Sequence, residues 1–472
     1  MSLLTSAATV PRRVAGDRVC NVNPDFKHAL LFDVLRNRRS RRVGVGMSIP
    51  DGPFKYSSPH KPVPLAEDEE AALAFAACGV TGHALADLSY GAGQGGSMLA
   101  GRLGRTIASA DALNTVAMVV TNDRGAWLLK RPQEFTPAEF PELVKLAREG
   151  ALTELYRRSR VQLSDRRAAP PLDSRHNFPI NGWSLYAPGT TYFLPIVETT
   201  ALTINALLEL FDEAMGVFVR DERAWFRPAG LGRFARSRGG HLHDDPRELR
   251  SATIQTLETA LLESMATEHG MALQNLALMT EALGLGGFPN FARHEYSWFQ
   301  ALGFRMGTMP ASGYLGAHRL LSLALGWLGR DPAILYPLGL EQSGVTLLKP
   351  FCPPYYPTMR AAVLAFVETK FGAGGAYRGG GVQSSWREPG SVAAQISGPS
   401  SAAIEATAAY CDYVYRRYKR FPAYTAPFRT VIGFQVCRVD LDFYERFYRP
   451  EALSESVRAN TEAALKGYSP HP

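Results

Sequence analysis

The chain has 472 residues, 46% hydrophobic and 20% charged, so it can bury a large core and exceeds the usual length of one domain. Its net charge of +7 comes mostly from scattered arginines, whereas a nucleic-acid-binding protein usually concentrates such charge on one face, so we expect no nucleic-acid partner. Five widely spaced cysteines without a CxxC pair argue against a disulfide framework or structural zinc. We see no signal peptide and no run of about 18 apolar residues, which predicts a cytoplasmic protein without a membrane partner.

Regular patterns begin after residues 1–24, which we predict to form a tail or an arm over a partner subunit. The first half of the chain then shows, in order, a helix over 26–36, an acidic-start helix within 64–80, a β-hairpin over 114–132, a charged helical interval 135–167, a proline-punctuated loop 168–188, an apolar run 191–219 and a basic, glycine-rich surface loop 227–245.

The longest helical pattern covers 252–283 and stops at Gly284, because glycine commonly follows the last turn of a helix. The elements predicted beyond it are an apolar helix over 314–328, a short strand over 333–338, a helix over 358–371, a glycine-rich linker over 372–398, a helix over 402–418 and a β-like run over 430–439.

The densest polar motif follows the first predicted helix, where Arg38, Arg39, Ser40 and Arg42 fall within five residues. Arginine binds phosphate oxygens through its planar fork, and a hydroxyl adds a further hydrogen bond, so this pattern favours a phosphorylated ligand over a lone carboxylate. The alternative interpretation is a solvated basic end of a helix.

A second motif, MALQNLALMTEALGLGG at 271–287, ends the longest predicted helix and is followed by Phe288. Its closely spaced glycines would let a flat heteroaromatic ring approach the peptide groups, since no side chain stands in the way. A glycine after a helix is also the commonest C-cap, and that interpretation stays open.

Together the two motifs resemble the FMN-dependent nitroreductase-like family, in which Arg-Arg-Ser-x-Arg near the N-terminus precedes a mid-chain helix ending in Ala-x-Gly-Leu-Gly. The resemblance covers roughly residues 24–371. It implies an α+β fold, a mixed and mostly antiparallel sheet surrounded by helices, in an intertwined homodimer with flavin sites at the subunit interface. Gln274 and Asn275 would then be helix residues near the dimer core.

The resemblance also assigns the cofactor contacts. Arg38, Arg39 and Ser40 would contact the phosphate and ribityl chain of FMN, while Arg42 would approach the pyrimidine edge of the flavin ring. The strand whose backbone lies along the ring would begin with Gly286, Gly287 and Phe288. The family's Pro-Ser loop, with its Asn and Gln, is replaced here by a glycine-rich variant that would touch the ribityl chain through Gln94, Gly95, Gly96 and Ser97.

The usual family member is about half as long as this chain. The resemblance therefore implies an FMN-binding domain over 25–371 with a large insertion around 135–246, followed by a glycine-rich linker and a C-terminal extension over 372–472. The C-terminal arm could extend the sheet of a partner subunit.

Several further side chains have two open interpretations. The resemblance implies a second phosphate contact from the C-terminal part of the chain, and the sequence spacing is compatible with Lys349, Arg360 or Arg378. We include Arg378 among the predicted cofactor-binding residues. Two aromatic groups either line a substrate pocket or pack structurally, namely Cys352, Tyr355 and Tyr356, and Asn181, Trp183 and Tyr186. His241 and His243 precede two aspartates but lack a distant ligand partner, so we expect no metal.

The resemblance implies an FMN-dependent oxidoreductase acting on a small organic substrate, for example one that tailors a specialised metabolite, with NADH or NADPH as a possible electron donor. The flavin would supply the redox chemistry, so we assign no catalytic side chain. Two alternatives stay open: a flavin-dependent dehydrogenase or oxidase that aromatises heterocycles on a peptide, and a non-catalytic flavin-binding or interaction protein that retains the fold.

Overall fold

The structure is a computed structural model that describes residues 24–85, 101–170, 183–184, 186–291, 295–378 and 386–467. Its strands are β1 (Ser48–Ile49), β2 (Tyr56–Ser57), β3 (Val80–His83), β4 (Leu103–Arg105), β5 (Val116–Asn122), β6 (Gly125–Leu129), β7 (Arg160–Ser164), β8 (Thr191–Glu198), β9 (Phe218–Asp221), β10 (Arg227–Pro228), β11 (Ser251–Thr253), β12 (Gly286–Phe291), β13 (Phe304–Pro310), β14 (Ala333–Gln342), β15 (Val345–Leu348), β16 (Phe428–Arg429) and β17 (Ile432–Cys437).

The α-helices are α1 (Leu31–Asn37), α2 (Glu67–Cys78), α3 (Phe140–Glu149), α4 (Leu152–Ser159), α5 (Thr200–Leu210), α6 (Ile254–Ala282), α7 (Glu295–Ala301), α8 (Ala311–Tyr314), α9 (Arg319–Trp327), α10 (Met359–Phe371), α11 (Pro389–Gln395), α12 (Ser401–Tyr418), α13 (Leu441–Phe447) and α14 (Glu455–Gly467). Helices and mainly antiparallel sheets are thus mixed along the described chain, which makes the fold α+β, as predicted.

A seven-stranded antiparallel sheet forms the centre of the molecule. Its order is β12-β17-β8-β5-β6-β7, and β16 also pairs with β8. Both faces of the sheet are covered, because alternate residues of β5 enter two different cores. Met118 and Val120 pack with residues of α2 and α6, whereas Ala117 and Val119 pack on the opposite face with Trp298 of α7.

The 29-residue helix α6 lies against the central sheet and carries one of the predicted motifs at its C-terminal end. Thr253 caps its N-terminus by accepting a hydrogen bond from the Thr256 backbone N–H. After its last turn Gly284 adopts a φ of +72°, and a β-carbon there would lie 2.1 Å from the Ser456 carbonyl oxygen. Gly284 is therefore both the stop signal of the helix and the point where α14 packs closely against it.

The segments predicted as additions contribute strands to the central sheet. The predicted insertion 135–246 supplies β7 and β8, and β8 lies in the middle of the sheet. The predicted extension 372–472 supplies β16 and β17, with β17 hydrogen-bonded to both β12 and β8. These residues complete the sheet of their own chain rather than lying outside it.

Other local differences have local causes. The interval 135–167 ends in β7 rather than in helix, because its last residues pair with β6. The helix predicted over 314–328 is divided into α8 and α9, since Gly316 between them has a φ of +65°. None of the described helices is both long enough and apolar enough to cross a membrane.

Candidate functional site

The arginine motif lies in an extended segment directly after α1, where the side chains have different environments. Arg39, Ser40 and Arg42 are exposed, Arg38 is half-buried, and Arg41 is buried. The Nη1 atom of Arg39 donates to the carbonyl oxygens of Arg36 and Arg38, at 3.0 Å each. An arginine has five N–H donors, so most of those of Arg39 remain available to a ligand.

Arg41, which the resemblance leaves without a role, anchors the segment. Its Nη1 lies 2.5 Å from Oε2 of Glu281 in the last turn of α6, and both side chains are buried. Its Nε donates to the Ala452 carbonyl oxygen at 2.8 Å, and Glu281 also accepts a hydrogen bond from Ser454 at 2.6 Å. This network fixes the arginine segment to the end of the long helix and to the chain beyond α13.

The structure brings the two predicted motifs into contact, although they are about 240 residues apart in sequence. The guanidinium carbon of Arg42 lies 4.7 Å from the centre of the Phe288 ring, a cation–π arrangement. A β-carbon built at Gly286 would lie 3.0 Å from the Arg41 carbonyl oxygen and 3.2 Å from the Cys437 Sγ atom. Glycine at 286 therefore permits β12, β17 and the arginine segment to pack directly against one another.

The space beside the α-carbons of Gly286 and Gly287 is filled by other residues of the chain. A β-carbon at Gly287 would meet the Phe434 ring at 2.7 Å and the Thr280 side chain at 3.0 Å. Phe288 is buried beneath Arg42. Close packing within the chain thus accounts for the glycines, and the contact of this strand with a flavin ring stays a prediction.

A cleft of about 730 Å³ opens beside the arginine segment, within the range of roughly 300–1,000 Å³ usual for small-molecule sites. We call it the arginine cleft. Its lining includes Arg39, Ser40, Arg41, Arg42, Phe54, Trp183, Tyr444, Tyr448, Arg449 and Glu451. Within the described part of the chain, Arg39, Arg42 and Arg449 form no ion pair with a carboxylate, so the lining combines free cations with aromatic surfaces.

Tyr444 holds the inner wall of the arginine cleft in place. Its hydroxyl oxygen accepts hydrogen bonds from the backbone N–H groups of Arg42 at 2.7 Å and Val43 at 3.3 Å. Burial raises the pKa of this phenol above its usual value, so it stays protonated at neutral pH. On the outer wall, the rings of Phe54 and Tyr448 stack with their centres 5.8 Å apart.

Other predicted residues lie elsewhere. Asn275 donates to the carbonyl oxygens of Ala76 and Thr106, which ties α6 to its neighbours, and Gln274 is exposed. Arg378 donates to the Ile396 carbonyl oxygen at 3.1 Å and does not line the arginine cleft as described. Gln94, Gly95, Gly96, Ser97 and Asn181 lie outside the described residues.

Lys349 and Tyr356 lie at a second cavity, of about 480 Å³. The Lys349 Nζ atom lies 5.2 Å from the centre of the Tyr356 ring. Arg360 instead forms an ion pair with Glu405, and Cys352 is buried in the core that contains α10 and α12. Lys349 and Arg360, the alternatives to Arg378 as a second phosphate contact, therefore do not line the arginine cleft either.

The two histidines of the basic loop have protein partners. His243 Nδ1 lies 2.5 Å from Glu248 Oε2, and His241 Nε2 lies 2.9 Å from the Phe211 carbonyl oxygen. Within the described chain, no group of three His, Cys, Asp or Glu side chains is placed to hold a metal ion.

Comparison with known proteins adds a distant structural similarity. No protein-family model and no curated protein sequence matches this chain. Among solved structures, a protein described as a "putative nitroreductase" from Ralstonia eutropha JMP134 is similar over 62% of this chain and 79% of its own. The identity is 14% and the TM-score 0.25, a level at which neither fold family nor function can be carried over.

Proposed function

We propose that this protein is an FMN-dependent oxidoreductase acting on a small organic substrate, and that the arginine cleft binds FMN, in a homodimer. The observation that carries the proposal is the contact between the two motifs, with Arg42 over Phe288 beside a cleft of suitable size. Arg39, Ser40 and Arg42 line this cleft. The flat end of a phosphorylated cofactor would lie against the aromatic residues of the cleft, because Gly286, Gly287 and Phe288 do not line it.

The cations of the cleft fit the phosphate end of FMN. Arg39, Arg42 and Arg449 lack carboxylate partners in the described chain, and Ser40 adds an exposed hydroxyl. Hydrogen bonds between guanidinium groups and phosphate oxygens are charge-assisted and commonly bidentate. The arginine cleft therefore supports binding of a phosphomonoester more readily than of a neutral ligand.

The aromatic residues of the cleft fit the flat end of the same molecule. Phe54, Trp183 and Tyr448 provide apolar faces against which a heteroaromatic ring can pack. Bound FMN would supply the hydride or electron transfer, and the protein would position it and tune its charge. A guanidinium such as that of Arg42 beside the ring would favour the anionic reduced form, because opposite charges attract.

Two side chains of the site act as positioning residues. Arg41, through its ion pair with Glu281, holds the segment that carries Arg39 and Arg42. Tyr444 fixes the backbone of the same segment and, as a protonated phenol, contributes no charge. The arginines of the cleft are thus presented from a rigid support, which lowers the entropic cost of binding a ligand.

The test is the affinity of the purified protein for FMN, measured by flavin fluorescence quenching and by the visible spectrum after reconstitution. We expect a yellow protein with releasable FMN. Arg39→Gln and Arg42→Gln should each weaken FMN binding about 10- to 100-fold, because each removes charged hydrogen bonds of roughly 1.5–3 kcal/mol. Their free energy of unfolding should stay within about 1 kcal/mol of wild type, since both side chains are exposed and the Arg42–Phe288 contact is worth about 0.5–1 kcal/mol.

Arg36→Gln is the matched control. Arg36 is an exposed arginine of the same helix end, but it pairs with Asp33 and does not line the cleft. Its replacement should leave FMN affinity unchanged. Absence of FMN binding even after reconstitution, or equal affinities in wild type and in both cleft variants, would overturn the proposal.

Flavin-loaded protein then separates reductase from oxidase. Bleaching of the flavin absorbance by NADH or NADPH under anaerobic conditions would indicate a reductase. Bleaching only by an organic substrate, followed by recovery of colour in air, would indicate a dehydrogenase or oxidase. If neither a nicotinamide donor nor an organic substrate reduces the bound flavin, the result would indicate a non-catalytic flavin-binding protein.

A further inference from the structure

Helix α9 presents its apolar side to solvent. None of its nine residues, all of which the structure describes, is buried, and Trp327 is 88% exposed. Leu320, Leu321 and Leu323 are exposed as well. At about 100° per residue, these four side chains fall within an arc of about 160°. Surface helices normally pack such an apolar arc against the core. In α9 the apolar arc faces solvent instead.

A second apolar segment lies beside the start of this helix. Trp225 is 87% exposed and its neighbour Phe226 is also exposed. A β-carbon built at Gly316, in the loop before α9, would lie 3.3 Å from Nη1 of Arg223, two residues before Trp225. The turn therefore lies near the loop that leads into α9. We define the α9 surface by the exposed residues of the helix and of this turn, namely Leu320, Leu321, Leu323, Trp327, Trp225 and Phe226.

The backbone of the turn is strained. Trp225 and Phe226 both have a φ of +56°, a left-handed conformation that is uncommon for residues with bulky side chains. The turn closes the hairpin of β9 and β10, and it leaves both aromatic side chains exposed. Exposed apolar side chains that lie together on a surface are available to a partner.

The surroundings of the α9 surface are basic. Three arginines, Arg227, Arg319 and Arg330, lie on or next to its segments, and none of them forms an ion pair with a carboxylate among the described residues. Arg227, Arg319 and Arg330 are exposed. A partner that complements this surface must combine apolar groups with negative charge, and a second copy of the same surface would bring arginines against arginines.

We propose that the α9 surface docks the protein on a lipid bilayer that carries anionic headgroups. Leucines and tryptophans of an interfacial helix enter the boundary between headgroups and acyl chains, while arginines contact the lipid phosphates. Docking would be peripheral, since none of the described helices can span a bilayer. The proposal does not depend on the bound cofactor. It departs from the expectation of no membrane partner, which rested on the lack of a signal peptide and of a long apolar run.

The test is flotation of the full chain with vesicles of equal parts phosphatidylcholine and phosphatidylglycerol, compared with phosphatidylcholine alone. We expect binding to the anionic vesicles that weakens with added salt. Leu320→Gln with Leu323→Gln should weaken binding at least about tenfold, because two leucines no longer enter the bilayer. Arg319→Gln with Arg330→Gln should weaken it about 25-fold, at about fivefold for each arginine.

Two further variants make the result specific. Val345→Gln changes an exposed apolar residue that follows the end of β14, whereas α9 precedes the start of that strand. This variant should leave binding unchanged. Trp225→Asn should weaken binding without harming the fold, because asparagine tolerates a positive φ. It provides an independent reading should the helix variant misfold, as judged by circular dichroism.

The proposal is overturned if wild type does not float with anionic vesicles, or if Val345→Gln weakens binding as much as the leucine variant. It is also overturned if sedimentation velocity shows a dimer that the leucine variant converts to monomer while vesicle binding is absent. That outcome would assign the α9 surface to contact between copies of this chain.

Discussion

The buried ion pair between Arg41 and Glu281 gives the sharpest prediction about stability. Their side chains are 2% and 3% exposed, and the Nη1–Oε2 distance is 2.5 Å. Replacing Arg41 by alanine leaves the Glu281 carboxylate buried without its cation and removes the hydrogen bond to Ala452. Breaking a buried pair in this way typically costs about 3–5 kcal/mol, so the free energy of unfolding should fall by about that amount.

The assay is urea unfolding followed by circular dichroism, in a double-mutant cycle. Arg41→Met with Glu281→Met should recover much of the loss, because a buried ion pair replaced by apolar residues of similar volume is often neutral in stability. Arg36→Ala serves as the control, since its exposed pair with Asp33 is worth at most about 1 kcal/mol. A loss below about 1 kcal/mol for Arg41→Ala, or a double variant no more stable than the single one, would refute this reasoning.

Three further predictions concern stability. Gly284→Ala should destabilise the protein by about 2 kcal/mol or more in urea unfolding, because its φ is +72° and the Ser456 carbonyl oxygen occupies the place of a β-carbon. Gly270→Ala, within α6 and with open space around it, should instead stabilise by about 0.5–1 kcal/mol, and a loss there would contradict the helix assignment. Burial raises the pKa of Glu258 to about 8, so the folded state binds its proton more tightly than the unfolded chain; this contribution is present below about pH 4.5 and lost as the pH rises through 8. Wild type should therefore lose on the order of 4 kcal/mol relative to Glu258→Gln between pH 4 and pH 9, and parallel pH profiles of the two proteins would exclude this.

Elements with local signals were predicted closely. The sequence pattern placed the long helix at 252–283 and the structure has it at 254–282, because Thr253 and Gly284 mark its ends within the sequence itself. The hairpin of β5 and β6 was predicted for the same reason, since a polar turn separates two β-rich runs. By contrast, β7 owes its conformation to pairing with β6, a contact that periodicity does not show.

The candidate site could likewise be predicted only where the signal is local in sequence. The residue types of Arg39, Arg42 and Phe288 could be selected from two short motifs, but only the folded chain shows that the two motifs touch. The anchoring role of Arg41 cannot be predicted from sequence, because a buried and an exposed arginine look alike until the position of Glu281 is known. The exposure of α9 was equally hidden, since a run of leucines predicts a helix without saying what covers it.

The position of β17 has a consequence for how the chain acquires its structure during synthesis. Its neighbours β8 and β12 are made long before it, with 233 residues between the end of β8 and the start of β17. At about 5–20 residues per second, β8 waits roughly 10–50 s on the ribosome for this partner. During that interval β8, and then β12 once it is made, lack the hydrogen-bonding partner that β17 provides, and such open edges readily pair with other chains. Correct folding of this protein therefore depends on protecting an incomplete sheet until its last strand is made.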